Sequence, residues 1–365
     1  MLEQKTPLDY AKNTCDTLMH TWQADHLPPE GRFHYHQGVF LSGMYKTYQL
    51  CHDEKYYNYI KQWVDARIDE NGTVSTYDPG QMDDIQPAIL LYPLYERTGD
   101  PRYKTALDTL VPIIYNFPHN PEGGLWHKER YPNQMWLDGL YMGGPVCAEY
   151  AKHFNKPEYT AFAIKQIKLM FQHTRDEKTG LLYHAWDYSK KAIWSNPVTG
   201  TSPEFWGRSI GWVPVAVLDD LDAIDTSNPD YETLCSLVRN LLISLCKFQS
   251  EDGRWYQVVN KGSLPENWLE NSCSCLYTAA LCKAVRKGIL DSVYLKNAEK
   301  GYKGVIQSLT WKGSDIQIGN VCIGTGVGDY AFYCARPTSV NDLHGAGAFL
   351  LMCTEVQKIL SVWKK

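Results

Sequence analysis

The sequence of 365 residues predicts an all-α fold in which six helical hairpins close into a double ring, an (α/α)6 barrel, as one domain over residues 1–365. A glycine turn followed by an aromatic or β-branched run recurs about every 40 to 75 residues, which leaves room for two helices in each interval. Between the turns, apolar residues follow helical rather than alternating spacing. A helical array divided into two domains is the alternative. The turns lie at Gly31, Gly72, Gly124, Gly180, Gly253 and, more weakly, Gly319.

Local signals along the chain place helices between these turns. Apolar residues recur three or four positions apart in several segments, which predicts one buried face on each helix. Prolines and glycines mark the helix boundaries: Gly99-Asp-Pro101 and Asn228-Pro-Asp230 separate helices, and Pro132 is placed to open one. Three apolar segments illustrate the spacing: Leu91, Leu94 and Tyr95; Val215, Leu218 and Leu221; and Cys235, Val238 and Leu242.

Composition excludes several classes of partner. The net charge of −5 and the isoelectric point of about 6.1 give no reason to expect nucleic acid or an anionic membrane surface. No apolar run approaches the roughly 20 residues of a membrane helix, and the N-terminus lacks the apolar core of a signal peptide. Several of the eleven cysteines stand alone in apolar runs. We therefore expect buried thiols and a cytoplasmic location.

Aromatic residues make up 13% of the chain, with 12 tryptophans and 25 tyrosines. Their rings offer flat apolar faces with a polar edge, and sugar rings stack on such faces. A large aromatic core would also use many of them. The composition therefore suggests a carbohydrate ligand without establishing one.

Residues with acid–base or binding chemistry follow the glycine turns. In a closed ring, alternate loops gather at one end, so these residues would converge on a single funnel. Asp138 stands out as one carboxylate in an apolar and aromatic run. Burying it is costly unless it is paired or its pKa rises so that it holds a proton, as a general acid must. Its expected companions are His34, His36, Asp83, Asp84, His127, Lys128, His184, Trp206, Arg208 and Trp212.

Some of these polar residues also have a purely structural interpretation. Asp138 could be a satisfied core carboxylate, and one of Asp83 and Asp84 could cap a helix. Glu204 and Arg208 lie four positions apart, so they could form an ordinary ion pair on a helix. Only the recurrence of such residues after successive turns favours a common site.

Two other chemistries receive weak support. His34, His36 and His127 could bind zinc, although no ligand spacing typical of zinc sites supports this. The segment around Ser209 matches the GxSxG pattern of serine hydrolases, but that motif requires a preceding strand, and none is legible here. We therefore expect neither a metal nor a serine nucleophile.

Five longer segments carry a family resemblance, at residues 34–40, 131–145, 183–187, 202–212 and 341–349. With them the chain resembles the unsaturated rhamnogalacturonyl hydrolases of glycoside hydrolase family 105 over nearly its whole length. The resemblance implies an (α/α)6 barrel. It also implies cleavage of the 4,5-unsaturated uronic acid at the non-reducing end of pectin fragments, with an unsaturated disaccharide as a small substrate.

The resemblance further implies a mechanism and a set of residues. The residue matching Asp138 protonates C4 of the C4=C5 enol ether, water adds at C5, and the resulting hemiketal opens and releases the rest of the oligosaccharide. One acid and a positioned water suffice, without the spaced carboxylate pair of ordinary glycosidases and without a cofactor. Asp83 matches a second essential carboxylate. Substrate-contact positions are matched by His34, Tyr35, His127, Lys128, Tyr131, Arg208, Trp212 and Thr325, and pocket walls by His184 and Trp206.

One departure from the family pattern leaves the substrate open. Glu129-Arg130 stands where relatives carry Asp-Gly, which removes backbone freedom and adds a cation beside the mouth of the site. Substrate length or the identity of the second sugar therefore stays undetermined. The rival functions are an unsaturated glucuronyl hydrolase acting on glycosaminoglycan fragments, a sugar 2-epimerase using His184 and His344, and a non-catalytic sugar-binding protein.

Overall fold

A closed ring of six inner helices organises the computed structural model, which describes residues 5–363. The inner helices are α2 (Tyr35–Cys51), α4 (Leu91–Thr98), α6 (Asp138–Phe154), α8 (Gly207–Ala223), α10 (Asn271–Arg286) and α13 (Leu343–Trp363). The outer helices are α1 (Pro7–Thr21), α3 (Glu54–Asp65), α5 (Pro101–Tyr115), α7 (Pro157–Thr174), α9 (Tyr231–Cys246) and α11 (Leu295–Gln307). The ring closes because α13 packs against both α10 and α2, while the 3₁₀ segment Gln86–Leu90 leading into α4 packs against α2 and α6. The predicted (α/α)6 architecture is confirmed.

The recurring glycine turns are the connections from each outer helix to the next inner helix. Four of them adopt the positive φ angles that glycine tolerates best, namely Gly31, Gly72, Gly180 and Gly253. In the third turn the residue with positive φ is Gly123, one position before the predicted turn glycine. In the sixth turn it is Asn320. Because every such turn leads into an inner helix, the residues that follow them meet at one end of the ring.

Burial distinguishes the two rings. The inner helix α8 buries 14 of its 17 residues, whereas the outer helix α3 buries six of its 12. A helix that is apolar all round belongs in the interior of a large domain, and a one-sided helix belongs at its surface. Neighbouring inner helices also lie close to each other. If Gly347 of α13 carried a Cβ atom, that atom would lie only 2.6 Å from the Val39 backbone of α2.

Short antiparallel ribbons lie in the connections at the same end of the ring, and the first of them joins two neighbouring turns. Strand β1 (Gln134–Trp136) pairs with β2 (Ala185–Asp187), and β3 (Trp255–Tyr256) pairs with β4 (Leu269–Glu270). Strand β5 (Thr310–Lys312) pairs with β6 (Asp315–Gln317), and β7 (Val321–Cys322) pairs with β8 (Thr338–Ser339). These ribbons fix the residues just before α6 and α10, where the polar side chains cluster.

Two local features differ from the sequence prediction. Pro132 does not open a helix, because the chain first forms β1 and then starts α6 at Asp138. A short helix, α12 (Tyr330–Cys334), lies between α11 and α13 and was not expected.

All eleven cysteines are free thiols, as predicted. Within residues 5–363, no helix has the length and apolar character needed to cross a bilayer.

Candidate active site

The β1–β2 ribbon brings Asp138 and His184 together. Its register pairs Trp136 with Ala185, and the Leu137 N–H donates to the His184 carbonyl at 3.0 Å. The residues that follow β1 and precede β2 are therefore neighbours. Asp138, at the start of α6, accepts a hydrogen bond on Oδ2 from His184 Nε2 at 3.0 Å. The motif aspartate thus has a fixed partner from the next turn of the barrel.

Asp138 faces a cavity of about 390 Å³ at this end of the ring. The size is typical of small-molecule sites. The cavity contains two carboxylates, several cations and an aromatic wall, so it suits a polar ring-shaped ligand. It is lined by His34, Tyr35, His36, Asp83, His127, Lys128, Arg130, Tyr131, Trp136, Asp138, Met142, Trp206, Arg208, Gly324, Thr325, Gly326 and Arg336.

A stack of three rings forms one wall of the cavity. His127 and Tyr131 both lie nearly parallel to Trp136, with ring centroids 4.3 Å and 5.0 Å away. Burial lowers the pKa of His127 to about 4, so its imidazole is neutral at physiological pH. The wall therefore presents uncharged aromatic faces, on which a sugar ring can stack.

Asp83 is an ionised carboxylate held by a lysine. Lys128 Nζ lies 2.5 Å from Asp83 Oδ2 and 3.1 Å from Gln81 Oε1. Burial by itself raises the pKa of Asp83, but the charges of His127, Lys128 and His34 and the hydrogen bond from Lys128 lower it to about 2. Asp83 is thus an acceptor for hydroxyl groups rather than a proton donor.

Asp138 is also ionised before any ligand arrives. Burial raises the pKa of its carboxyl group, but the hydrogen bond from His184 and the positive charge around it outweigh burial and bring the pKa below 3.8. Of the two routes by which a buried aspartate is tolerated, pairing operates here.

Arg208 lies at the start of α8 with only 2% of its surface exposed. Its Nη1 donates to the Cys322 carbonyl at 2.5 Å and its Nη2 to the Ile323 carbonyl at 2.9 Å. The guanidinium lies 4.6 Å above the Trp206 ring. A guanidinium has five N–H donors, so donors remain for an anionic ligand in the cavity.

A profile of Glycosyl Hydrolase Family 88 matches residues 10–360. The chain belongs to this family. The resemblance to family 105 is confirmed by a solved glycoside hydrolase of that family from C. acetobutylicum ATCC 824, which superposes with a TM-score of 0.91 at 33% identity, over 96% of this chain and 99% of that one. The chain is thus a glycoside hydrolase.

Two further proteins are similar to this chain. The unsaturated rhamnogalacturonyl hydrolase YesR of Bacillus subtilis (strain 168) is 25% identical over 296 residues, which cover 80% of this chain and 79% of YesR. The unsaturated glucuronyl hydrolase of Bacillus sp. GL1, described as responsible for glycosaminoglycan degradation, has a TM-score of 0.72 at 12% identity and covers 95% of both chains. This second likeness concerns the fold alone.

Ten of the twelve predicted site residues line the cavity: His34, Tyr35, Asp83, His127, Lys128, Tyr131, Asp138, Trp206, Arg208 and Thr325. The other two lie outside it. His184 is completely buried beside Asp138 rather than facing the cavity. Trp212 is 1% exposed and stacks on Tyr141 of α6 at 4.5 Å. Neither residue is placed for substrate contact in the described structure.

The structure decides several of the alternative roles that the sequence left open for individual residues. Glu204 pairs with Lys261 at 2.7 Å and not with Arg208, so the predicted helix ion pair is wrong. Neither Asp83 nor Asp84 caps an α-helix, since both lie in the 3₁₀ turn Met82–Asp84. Ser209 is buried within the first turn of α8, and its hydroxyl donates to the Trp206 carbonyl. It is not placed to act as a nucleophile.

The three histidines considered as zinc ligands line the same cavity but do not form a group close enough to share an ion. Within residues 5–363, the one group close enough to share an ion comprises His36, Asp342 and His344. In that group His344 Nδ1 lies 2.7 Å from Asp342 Oδ1. Two ligands on one zinc ion are held farther apart, at about 3.3 Å for tetrahedral zinc–nitrogen bonds. The 2.7 Å separation between these two atoms is therefore too short for two ligands of one zinc ion.

Several cavity residues were missed by the sequence analysis as ligand contacts. Trp136 lies within the family motif at residues 131–145, so its position shortly before Asp138 could have identified it as a cavity residue. Gly324, Gly326 and Arg336 belong to a connection in which Thr325 was the one residue expected at the site. Tyr333, whose hydroxyl lies 2.6 Å from His184 Nδ1, is 149 positions away in sequence. No local signal could have joined these two residues.

We expect Arg208→Lys to lower kcat/KM on an anionic sugar substrate by about 10- to 100-fold, because it keeps the charge but loses the planar fork and a charged hydrogen bond. Arg208→Ala should be worse. Glu204→Gln is the matched control on the adjoining segment, since it weakens the ion pair with Lys261 outside the cavity and should leave the kinetics unchanged. Wild-type kinetics with lower stability in Arg208→Lys would mean that Arg208 only holds the Cys322 and Ile323 carbonyls.

Proposed function

We propose that the enzyme removes the 4,5-unsaturated uronic acid from the non-reducing end of rhamnogalacturonan (pectin) oligosaccharides produced by polysaccharide lyases. The observation that carries the proposal is the placement of Asp138. Its Oδ2 is held by His184, while the carboxyl group faces a cavity with an aromatic wall and cations. The activity named for YesR, a relative along 80% of this chain, supports the same substrate class.

In the proposed reaction Asp138 transfers its proton to C4 of the C4=C5 enol ether. The positive charge that develops at C5 is shared with the ring oxygen, and a water molecule adds at C5. The Asp138 carboxylate formed by this transfer is the closest base, and it accepts the proton that the water releases. The acid is thereby regenerated. The hemiketal at C5 then opens by breaking its bond to the ring oxygen, which leaves a hemiacetal at C1. This hemiacetal collapses to an aldehyde and releases the remaining oligosaccharide as an alcohol. The net change is the addition of one water molecule.

The other cavity residues have complementary roles in this proposal. Asp83, ionised and fixed by Lys128, accepts hydrogen bonds from sugar hydroxyls. The remaining donors of Arg208 bind the uronate carboxylate, and the Trp136 wall supports the sugar ring. Charged donors such as arginine bind carboxylates through short, strong hydrogen bonds.

The substrate itself helps to protonate the acid. In the ligand-free enzyme the pKa of Asp138 is lowered by the bond from His184, despite burial. A uronate carboxylate entering the same cavity adds a like charge, which disfavours the ionised form of Asp138 and raises its pKa. Binding also excludes water, which acts in the same direction. Substrate binding thus increases the protonated fraction of Asp138, the acid that acts on this substrate.

Two rival functions have less support. For glycosaminoglycan fragments, the likeness to the Bacillus sp. GL1 enzyme reaches only 12% identity and concerns the fold alone. A sugar 2-epimerase would need two histidines facing the substrate, but His184 and His344 are both completely buried and neither lines the cavity.

The direct test is to incubate the protein with lyase-generated oligosaccharides and follow the ultraviolet absorbance of the enol ether. We expect absorbance to disappear with unsaturated rhamnogalacturonan disaccharide and to change far less with unsaturated chondroitin or heparin disaccharides run in parallel. Faster loss with a glycosaminoglycan disaccharide would reassign the substrate. Unchanged absorbance with every fragment would contradict a hydrolase of this class.

We expect Asp138→Asn to reduce turnover by about 10²- to 10⁴-fold, the usual cost of removing an essential general acid. The amide keeps the shape and can still accept the hydrogen bond from His184, so thermal stability and disaccharide binding should stay close to wild type. Calorimetric titration and thermal melting provide these controls. Near wild-type turnover in a folded Asp138→Asn protein would exclude Asp138 as the acid.

The lowered pKa of Asp138 predicts an unusual pH dependence. Because kcat/KM reports the free enzyme, it should fall about tenfold per pH unit between pH 5 and 8 as the protonated fraction of Asp138 shrinks. The kcat value reports the complex and should remain constant to a higher pH. His127, with a pKa of about 4, does not titrate in this range. A flat kcat/KM from pH 5 to 8 would contradict an acid that is ionised in the free enzyme.

A further inference from the structure

The hydroxyl of Tyr333 lies behind His184, on the side away from Asp138. Tyr333 belongs to α12 and is completely buried. Its Oη lies 2.6 Å from His184 Nδ1 and 3.2 Å from the Gly328 backbone nitrogen. Together with the 3.0 Å bond from His184 to Asp138, these contacts form a continuous chain from a backbone amide to the carboxyl group.

The positions of the protons in this chain follow from its two ends. The Gly328 N–H can only donate, so the Tyr333 oxygen accepts there. The single hydroxyl proton of Tyr333 is then directed to His184 Nδ1. Since Nδ1 is an acceptor, the ring proton of neutral His184 resides on Nε2, where it is donated to Asp138 Oδ2. Burial raises the pKa of Tyr333 well above its ordinary value, so the phenol keeps its proton.

Packing holds the tyrosine in this position. The Tyr333 ring is nearly parallel to Trp206, with centroids 5.7 Å apart. Its carbonyl accepts a hydrogen bond from Gln257 Nε2 at 3.1 Å. The hydroxyl therefore has little freedom to leave His184, and the His184 ring itself packs against Trp206 with centroids 4.7 Å apart.

We propose that Tyr333 is a positioning residue that fixes His184 in the Nε2–H tautomer and thereby keeps a hydrogen-bond donor on Asp138. Its catalytic consequence rests on the proposed function, in which Asp138 is the acid. Without the hydroxyl, His184 is free to carry its proton on Nδ1, and its Nε2 lone pair then faces the Asp138 carboxylate. That arrangement disfavours the ionised form of Asp138 and disturbs its orientation.

The tautomer can be read directly in the resting enzyme. In protein labelled with ¹⁵N-histidine, the two ring nitrogens of His184, assigned by loss of their signals in His184→Gln, should show the Nε2–H form in wild type. Tyr333→Phe should shift them toward the Nδ1–H form. Tyr330→Phe is the matched control, because it removes a hydroxyl from the same helix that donates to the Pro265 carbonyl instead.

Kinetics give the second readout. In Tyr333→Phe we expect kcat to fall about 10- to 100-fold, as when a partner that orients a functional histidine is removed, while KM changes far less. The descending limb of kcat/KM should move to higher pH. Tyr330→Phe should match wild type in both respects. A merely structural role for Tyr333 would lower thermal stability without moving the pH profile.

The outcomes separate this proposal from the proposed function. A wild-type His184 spectrum of the Nδ1–H or doubly protonated form would overturn the tautomer assignment, even if Tyr333→Phe fails to fold. An unchanged spectrum and pH profile in folded Tyr333→Phe would also overturn it. If the wild-type protein hydrolyses no unsaturated oligosaccharide, the proposed function fails, but the resting-state spectra still decide whether Tyr333 sets the tautomer.

Discussion

Closure of the inner ring is the constraint on which the rest of the structure depends. Each inner helix must begin at the same end, so the starts of α2, α6 and α8 surround one cavity. Helix N-termini carry partial positive charge and unsatisfied N–H groups. The end of the barrel that collects them favours carboxylates, both those of the protein and that of a uronic acid. The backbone of this end of the barrel therefore contributes to the stabilisation of negative charge, in addition to the cationic side chains.

The two carboxylates in this cavity have different tasks because they have different hydrogen-bond partners. Lys128 neutralises Asp83 directly, which fixes it as an acceptor. In the arrangement that we propose, Asp138 is held by a neutral donor, His184, and not by a full opposite charge in direct contact. A carboxyl group stabilised by a neutral donor is more readily protonated than one in a salt bridge, because protonation does not leave a buried cation unpaired. In the proposed reaction, Asp138 is therefore the residue whose charge state a substrate can change.

The sequence indicated the fold and most of the cavity because the information needed is local. Glycine turns and helical spacing define the hairpins, and Asp138 stands out within a single motif. The family resemblance placed Trp212 among the substrate contacts, yet its ring packs on Tyr141. α8 is buried all round, so spacing alone does not tell which side of the helix faces the ligand. The pairing of His184 with Tyr333, like that of Arg208 with the Cys322 carbonyl, spans more than a hundred residues and has no local signal.

These distant pairings converge on one stretch of chain, residues 322–328. Arg208 holds its first carbonyls, and the hydroxyl of Tyr333 accepts its Gly328 N–H. Between these anchors, Gly324, Thr325 and Gly326 line the cavity. The stretch that borders the ligand is thus fixed at one end by the guanidinium that faces the substrate and at the other by the hydrogen-bond chain to Asp138. The backbone of residues 322–328 therefore lies between Arg208 and the hydrogen-bond chain to Asp138, an arrangement that no catalytic motif encodes.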